Sequence, residues 1–271
     1  MTVAAVDRCL RLIETLAGES APMELSVIAA RVELPASATH RILNAMHARG
    51  WIVQDPVTHA YSLSLRLAAL GFRHLDARSV PDIVQDVLDR LAAETREYCR
   101  LAILEGEDLV WVARAQGATL GLRYDPPMGE EIVLHATANG KAWLATLPEA
   151  EVRRIIATRG FETLRPLGPR RINSMPRLLE ELDLVRRRGY ATAIEEGEEG
   201  TAAVAIPFRA REGEAASVAG TISVAGPLMR FPADRHAALA AALTGAAGEL
   251  TAVWPLRIYS RTARPDPVSA S

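Results

Sequence analysis

Residues 34–52 read LPASATHRILNAMHARGWI, and this stretch decides the fold of the first part of the chain. Pro35 suits the start of a helix and Gly50 suits its end, so the pattern predicts a helix between them. A shorter helix is predicted just upstream, with Ser26 as its N-cap. Because only residues 33–34 separate the two helices, they must turn sharply against each other, as in a helix-turn-helix.

The segments on either side extend this motif. Apolar residues recur at spacings of three and four over residues 4–17, which predicts an amphipathic helix that Gly18 ends. Two short β-prone runs, 51–54 and 61–63, flank the turn-rich residues 55–60 and predict a hairpin. Three helices followed by a hairpin are typical of a winged helix.

The third helix carries the candidate DNA-reading residues. Its residues predicted to face inward are Ala38, Ile42, Ala45 and Met46. The polar residues expected to face outward are Ser37, Thr39, His40, Arg41, Asn44 and His47. Hydroxyl, amide and guanidinium groups near the start of such a helix can hydrogen-bond base edges and phosphates in a major groove. An ordinary solvated helix face is the alternative interpretation.

Downstream, helical periodicity returns over residues 66–75 and predicts a linker helix, which Ser79, Val80 and Pro81 interrupt. The remainder predicts an α+β domain with a mainly antiparallel sheet. Its predicted helices are 81–97, 138–147, 148–158, 175–188 and 233–253. Its predicted strands are 100–104, 109–114, 120–124, 190–194, 202–209 and 217–225.

Composition excludes several classes of protein. With 49% hydrophobic and 24% charged residues, the chain lacks the signature of disorder. No apolar run is long enough to span a membrane, so we expect a cytoplasmic protein. The net charge of −2 argues against nonspecific coating of nucleic acid. The two cysteines, Cys9 and Cys99, have no partners at metal-ligand spacing, and we expect neither a metal nor a cofactor.

Evidence for catalysis is thin. His135 has no evident nucleophile partner, and its apolar surroundings favour a hydrogen-bonded structural histidine. Lys141, the only lysine, suits a structural ion pair better than a Schiff base. The carboxylates at 195–199 are more typical of a solvated loop than of an active site. The alternatives left open are an enzyme with a catalytic C-terminal domain and a winged-helix protein-contact module, and a structural adaptor.

The chain resembles the IclR family of bacterial transcription regulators. The stretches that carry the resemblance are 6–16 (VDRCLRLIETL), 34–52, 61–71 (YSLSLRLAALG), 128–145 (MGEEIVLHATANGKAWLA), 186–208 (RRRGYATAIEEGEEGTAAVAIPF) and 221–231 (TISVAGPLMRF). They occur in the family's order and spacing across residues 3–255, so together they are far more specific than any one of them.

The resemblance implies a winged helix-turn-helix DNA-binding domain over residues 1–64 and a linker helix over 65–79. It further implies a GAF-like effector-binding domain over 80–255, followed by a tail, 256–271, that we expect to be disordered. Such a protein is a ligand-responsive regulator, more often a repressor than an activator, and not an enzyme. Its expected partners are double-stranded operator DNA, a small-molecule effector and further copies of itself in a homodimer or homotetramer.

The resemblance also places the effector pocket. Its residues would be Tyr124, Ile132, Ala138, Asn139, Ala193, Ala203, Ser223 and Ala225. Family members that sense small keto acids are expected to have Asp, Cys and Ser where this chain has Ala193, Ala203 and Ala225. Without those groups a small polar ligand would lose about 1 to 3 kcal/mol for each unpaired group. We therefore expect a larger, possibly aromatic, carboxylic acid, held by Asn139, Ser223 or backbone N–H groups at the helix start.

The DNA-binding half departs from the family pattern at three positions. Ala36 stands where a lysine is usual, Val27 where an acid is usual, and Glu33 where a glycine commonly makes the turn. Glu33 would cost up to about 1 kcal/mol if that position needs a positive φ. His40 and Arg41 match the family pattern, so the DNA-binding prediction stands.

Overall fold

The computed structural model describes residues 3–19, 21–76, 80–127, 129–163, 165–210 and 217–254. The chain divides into two compact units, Met1–Ala77 and Arg78–Ser271. The tail predicted to be disordered, residues 256–271, lies outside the described residues. Within the described residues, no helix has the length and apolarity needed to cross a membrane.

The first unit is a helix-turn-helix with a wing hairpin, as predicted. Its elements are α1 (Ala4–Ala17), α2 (Leu25–Arg31), α3 (Ala36–Ala48), β1 (Ile52–Gln54), β2 (Tyr61–Leu63) and α4 (Arg66–Asp76). Strands β1 and β2 pair antiparallel. Apolar side chains from α1, α2, α3 and the hairpin form one buried cluster: Leu12, Leu16, Met23, Ile28, Val32, Leu43, Met46, Ile52 and Tyr61.

The start of α2 differs from the prediction. The helix begins at Leu25 with Glu24 in the N-cap position, and no side chain caps it. Ser26, predicted as the cap, lies inside the first turn. The N-cap therefore lies two residues earlier than predicted. The backbone carbonyl of Glu24 accepts the first hydrogen bond of the helix, from the Ile28 N–H.

The buried face of α3 is rotated relative to the predicted one. Thr39, Leu43 and Met46 are its buried residues, whereas Ala45, predicted to face inward, is exposed. Thr39 can be buried because its hydroxyl donates to the carbonyl of Pro35 at 3.2 Å. A threonine whose hydroxyl is satisfied within its own helix packs much like an apolar residue.

The second unit is a five-stranded antiparallel sheet with helices on both faces. Its elements are α5 (Val80–Thr95), β3 (Tyr98–Glu105), β4 (Asp108–Gln116), α6 (Ala138–Leu144), α7 (Glu149–Arg159), α8 (Met175–Arg188), β5 (Ala191–Ile194), β6 (Thr201–Arg209), β7 (Val218–Pro227) and α9 (Arg235–Val253). The strand order is β4-β3-β7-β6-β5, and every pair is antiparallel.

Alternation along β3 separates the two cores of this unit. Leu101 belongs to the core that the sheet makes with α5 and α9. Ala102, the next residue, belongs to the core made with α6, α7 and α8. Successive side chains of a strand point to opposite faces of the sheet, so the sheet is the middle of three layers and is apolar on both sides.

Residues 120–124 do not form the predicted strand. Leu120 is 88% exposed and Leu122 is 65% exposed, so this segment buries no apolar face. Its carbonyls bond to side chains instead: Tyr124 accepts from Gln116 at 2.9 Å and Leu122 accepts from Arg230 at 2.7 Å. Residues 120–124 are β-prone in composition, but they pair with neither sheet. The prediction of a strand was therefore wrong here.

Candidate functional site

The exposed face of α3 carries most of the predicted DNA-reading residues. Ser37, His40, Arg41 and Asn44 are all exposed. Thr39 is wholly buried, so its side chain is not available on the face that the other four share. The role of the four exposed residues in DNA binding stays a prediction.

The charge of this helix suits a phosphate backbone. Helix α3 contains no acidic residue, and His40, Arg41 and His47 are its ionisable groups. The Asn44 amide nitrogen lies 3.4 Å from Nε2 of His40, one helical turn away, on the exposed face. A guanidinium, an imidazole and an amide at this spacing offer donors to phosphates and to purine edges.

The wing next to α3 has an ordered tip. The Asp55 carboxylate accepts from the backbone N–H groups of Val57 (2.8 Å) and Thr58 (2.7 Å). These bonds, that of Thr58 foremost, hold the pKa of Asp55 below its usual value. At the base of the hairpin, the Arg66 guanidinium lies over the Trp51 ring at 5.4 Å. The hydrogen bonds to Asp55 therefore fix the conformation of the wing tip.

The second unit contains a cavity between the sheet and α6. Its volume is about 630 Å³, which includes some solvent at its mouth. Seven of the eight residues expected in the effector pocket line it: Tyr124, Ala138, Asn139, Ala193, Ala203, Ser223 and Ala225. Ile132 does not line it, because its side chain is buried in the apolar core beside Leu134 and Trp143. Ligand binding by these residues stays a prediction.

Sheet register explains why residues distant in sequence share this cavity. Ala193 pairs with Ala203, which pairs with Ala225 across β5, β6 and β7. In the adjacent row Ser223 pairs with Arg100 on β3. Directly paired residues project to the same face of a sheet, so three methyl groups in one row leave open space above the strands.

Arg100 is the main cavity residue that the sequence analysis missed. It is 6% exposed and lies in the apolar strand sequence YCRLAIL, where a single charge among buried residues was the available signal. Its Nε donates to the Tyr98 hydroxyl at 3.2 Å, and its Nη2 donates to the carbonyls of Pro126 (3.1 Å) and Pro127 (2.8 Å). The guanidinium also lies 4.4 Å from the centre of the Trp111 ring.

A β-bulge brings Trp111 to this face. Leu101 pairs with Ala113, but Ala102 pairs with Trp111, so Val112 is an extra residue on β4. Without the bulge, Trp111 and Ala113 would point to the same face. With it, Ala113 joins the α5–α9 core while Trp111 lies on the opposite face, over Arg100.

Three acidic residues and one arginine, Arg165, line the mouth of the cavity. Glu131 and Glu198 line it and are exposed. Glu130 is half-buried and lies 3.9 Å from Arg165. Burial raises the pKa of Tyr124 to about 12, so its phenol is neutral and can donate a hydrogen bond at any physiological pH.

Helix α6 is anchored firmly above the sheet. The Thr137 hydroxyl accepts from the Gly140 N–H at 3.1 Å and so caps the helix. The Asn139 amide donates to Thr221 at 2.9 Å. Lys141 is fully buried, and its Nζ donates to both carboxylate oxygens of Glu196 at 2.7 Å. The predicted structural ion pair of Lys141 is therefore present.

His135 is buried, as predicted, but the predicted hydrogen bonding of its ring is not found among the described residues. Its Nε2 has no hydrogen-bond partner among the described residues, and its ring packs 4.9 Å from that of Phe161. Burial, with the charges of Arg171 and Lys141, lowers the pKa of this imidazole. No cluster of three or more metal-ligating side chains occurs among the described residues.

A winged helix in one unit and a sheet-lined cavity in the other are the two parts of a ligand-responsive transcription regulator. Residues 5–56 match the IclR helix-turn-helix domain, and residues 72–252 match the bacterial transcriptional regulator IclR C-terminal domain. The chain belongs to the IclR family of bacterial transcription regulators, which are not enzymes.

Named relatives agree with this assignment. The chain is 30% identical to the HTH-type transcriptional regulator KdgR of Dickeya chrysanthemi, over 92% of this chain and 79% of KdgR. It is also 30% identical to the transcriptional repressor IclR of Escherichia coli K12, over 92% of this chain and 89% of IclR.

Two crystal structures have the same fold. The IclR regulator from Alicyclobacillus acidocaldarius has a TM-score of 0.78 at 24% identity, covering 93% of this chain and 99% of that one. An IclR homologue from Microbacterium hydrocarbonoxydans, complexed with 4-hydroxybenzoate, has a TM-score of 0.70 at 24% identity, covering 92% and 99%.

Proposed function

We propose that this regulator is a repressor whose effector is an aromatic or similarly bulky carboxylic acid. The observation that carries the proposal is the row of alanines at 193, 203 and 225 in the wall of the cavity. Methyl groups offer no hydrogen bonds to a small polar ligand, and they leave room for an apolar body. Trp111 and Tyr124 also line the cavity and add aromatic surface to it, as is usual in small-molecule sites.

Two relatives favour the finer details of this proposal. The Microbacterium hydrocarbonoxydans homologue was crystallised with 4-hydroxybenzoate, which is an aromatic acid. The Escherichia coli relative is a transcriptional repressor. A ligand changes DNA binding only by the difference between its affinities for the DNA-competent and DNA-incompetent arrangements. We expect the acid to bind the incompetent arrangement more tightly and so release the operator.

We further propose that the regulator binds its operator as a homodimer, or as a tetramer built from two such dimers. A single winged helix offers too little interface for strong selectivity. The pairing surface we propose is on the first unit and consists of the N-cap residue of α1, Val3 (67% exposed), and of Val6 (56%) and Leu10 (53%) within α1. Exposed apolar residues grouped on one helix are typical of protein contacts.

The test is a fluorescence-anisotropy titration of the full chain onto DNA from the region upstream of its own gene. The titration is run alone and with a panel of acids: benzoate, 4-hydroxybenzoate, pyruvate and glyoxylate. We expect saturable binding that resists competitor DNA and is reversed by an aromatic acid. Release by pyruvate or glyoxylate, with no effect of the aromatic acids, would contradict the proposed effector class.

A further inference from the structure

Among the described residues of the second unit, Arg100 is the buried charged side chain that lacks a counter-ion. Glu97, also buried, pairs with Arg230 (2.7 Å) and Arg235 (2.9 Å), and Lys141 pairs with Glu196 at 2.7 Å. No carboxylate of the described residues lies within 4 Å of the Arg100 guanidinium, which forms hydrogen bonds only to neutral oxygens. A buried cation is stable when an anion compensates it.

The free part of this guanidinium is available to a ligand. Nε donates to Tyr98, and Nη2 donates to Pro126 and Pro127. Nη1 has no hydrogen-bond partner among the described residues, and Arg100 lines the cavity. The Trp111 and Tyr98 rings lie 4.4 and 5.3 Å from the guanidinium carbon and hold its position. An arginine fixed in this way is pre-organised to receive a carboxylate.

Charges at the mouth determine which end of the ligand enters first. The outer part of the cavity is lined by three acidic residues, Glu130, Glu131 and Glu198, and by one arginine, Arg165, which lies 3.9 Å from Glu130. The two acids outside this pair, exposed Glu131 and Glu198, repel an anionic group near the surface, while the buried Arg100 attracts it. A ligand with one carboxylate therefore enters carboxylate first. A ligand with a second carboxylate at its far end would place that charge beside the acidic residues at the mouth.

We propose that Arg100 is the residue that binds the carboxylate of the effector, and that the cavity selects aromatic monocarboxylates over dicarboxylates. This inference rests on the proposed function, whose effector is an aromatic acid. Of the anchors expected from the sequence, the Asn139 amide already donates to Thr221, whereas Ser223 pairs with Arg100 across β7 and β3 and lies on the same face of the sheet. Arg100 is a specificity-determining residue of the cavity and has no catalytic role.

Isothermal titration calorimetry of the full chain tests this proposal with matched probes. 4-Hydroxybenzoate and 4-hydroxybenzamide have nearly the same shape, but only the first is anionic. We expect the wild-type protein to bind the acid roughly 10- to 100-fold more tightly than the amide, the usual effect of a charge-assisted hydrogen bond. Terephthalate, the dicarboxylate, should bind more weakly than 4-hydroxybenzoate.

Variants test whether the preference for the acid over the amide depends on Arg100. Arg100→Gln should lower the affinity for the acid to that for the amide and leave the amide unchanged, whereas Arg100→Lys should keep part of the preference. Arg114→Gln is the matched control, because Arg114 pairs with Arg100 in the sheet register but is exposed and bonds to Asp125. Circular dichroism checks that each variant is folded, and the acid–amide comparison on wild type needs no variant.

Two results would overturn the role of Arg100. One is equal affinity of wild type for the acid and the amide, and the other is an acid affinity unchanged by Arg100→Gln. If both probes bind equally and both release operator DNA, a ligand-responsive regulator remains but the carboxylate anchor is wrong. If neither probe binds wild type nor affects the operator complex, the proposed effector class fails as well.

Discussion

At the scale of single residues, one position in the helix-turn-helix has a strained backbone conformation. Glu33 has a φ of +54° between α2 and α3, where the family resemblance implied a glycine. The left-handed region costs a residue with a Cβ about 1 kcal/mol. The condition under which the sequence implied a cost at Glu33 is therefore met, and the chain accepts the strain because the turn places α3 against α2.

Glu33→Gly should therefore stabilise the first unit by about 1 kcal/mol, because glycine adopts this conformation without strain. Hydrogen–deuterium exchange over α2 and α3 should slow about fivefold at amides that exchange by unfolding of the unit. Glu33→Ala is the control, since it removes the charge but keeps the Cβ. Equal slowing in both variants would show that the charge, and not the backbone, was responsible.

His135 is expected to make the second unit sensitive to acid. Burial lowers the pKa of its imidazole in the folded state, so in the pH range below its unfolded pKa of about 6.5 the unfolded chain binds the proton more readily. The stabilisation is complete above pH 6.5. It is lost as the pH falls from there through the folded-state pKa.

The wild type should lose up to about 1.4 kcal/mol of unfolding free energy per pH unit from this one group. His135→Gln, which does not titrate, should show a shallower loss between pH 7.5 and 5.5 in urea unfolding followed by tryptophan fluorescence. Parallel pH profiles for the two proteins would show that His135 does not titrate in this range.

At the scale of elements, the position of α6 depends on a glycine. A Cβ on Gly140 would lie 2.4 Å from both the Cα and the carbonyl oxygen of Leu134, so α6 packs directly on the backbone beneath it. A contact with backbone cannot be relieved by rotating a side chain. The close approach also sets where Ala138 and Asn139 meet the cavity.

Gly140→Ala should destabilise the second unit by about 3 kcal/mol, a typical effect of overpacking against a rigid neighbour. Gly245→Ala is the matched control in α9, because Gly245 has open space around it and alanine favours a helix by about 1 kcal/mol. Calorimetry should show opposite shifts in the melting temperature. A shift of the same sign in both would contradict the packing argument.

At the scale of the whole molecule, the proposed DNA-binding and effector-binding functions lie in different units. Helix α3, with the predicted DNA-reading residues, and the proposed pairing surface on α1 belong to the first unit, and the cavity proposed for the effector belongs to the second. A change on α1 should therefore alter DNA binding without altering ligand binding. This separation makes the proposed dimer testable.

Leu10→Glu should weaken pairing of the first units and lower operator affinity by roughly 100-fold, because each half-site is then bound separately. Affinity for 4-hydroxybenzoate should not change. Leu120→Glu, at an exposed position in the second unit, is the control. Sedimentation velocity measures the assembly and anisotropy measures operator binding. Tight operator binding by a wild-type monomer at micromolar concentration would exclude the dimer proposal.

Local sequence patterns alone determined the order of helices and the wing in the first unit, and the antiparallel α+β class of the second. Such patterns are local: Pro35 precedes α3 and Gly50 closely follows it, and residues 55–60 join the two strands of the wing through a turn. The resemblance to a family then supplied most residues of the cavity wall.

Tertiary structure decided the rest of the site. The pairing of Arg100 with Ser223 joins residues distant in the chain, and no local pattern specifies that register. The bulge at Val112 changes the face of Trp111, and a small rotation of α3 buries Thr39. Each depends on which long-range packing has the lowest free energy, a choice made only when the whole sheet and the helices around it assemble.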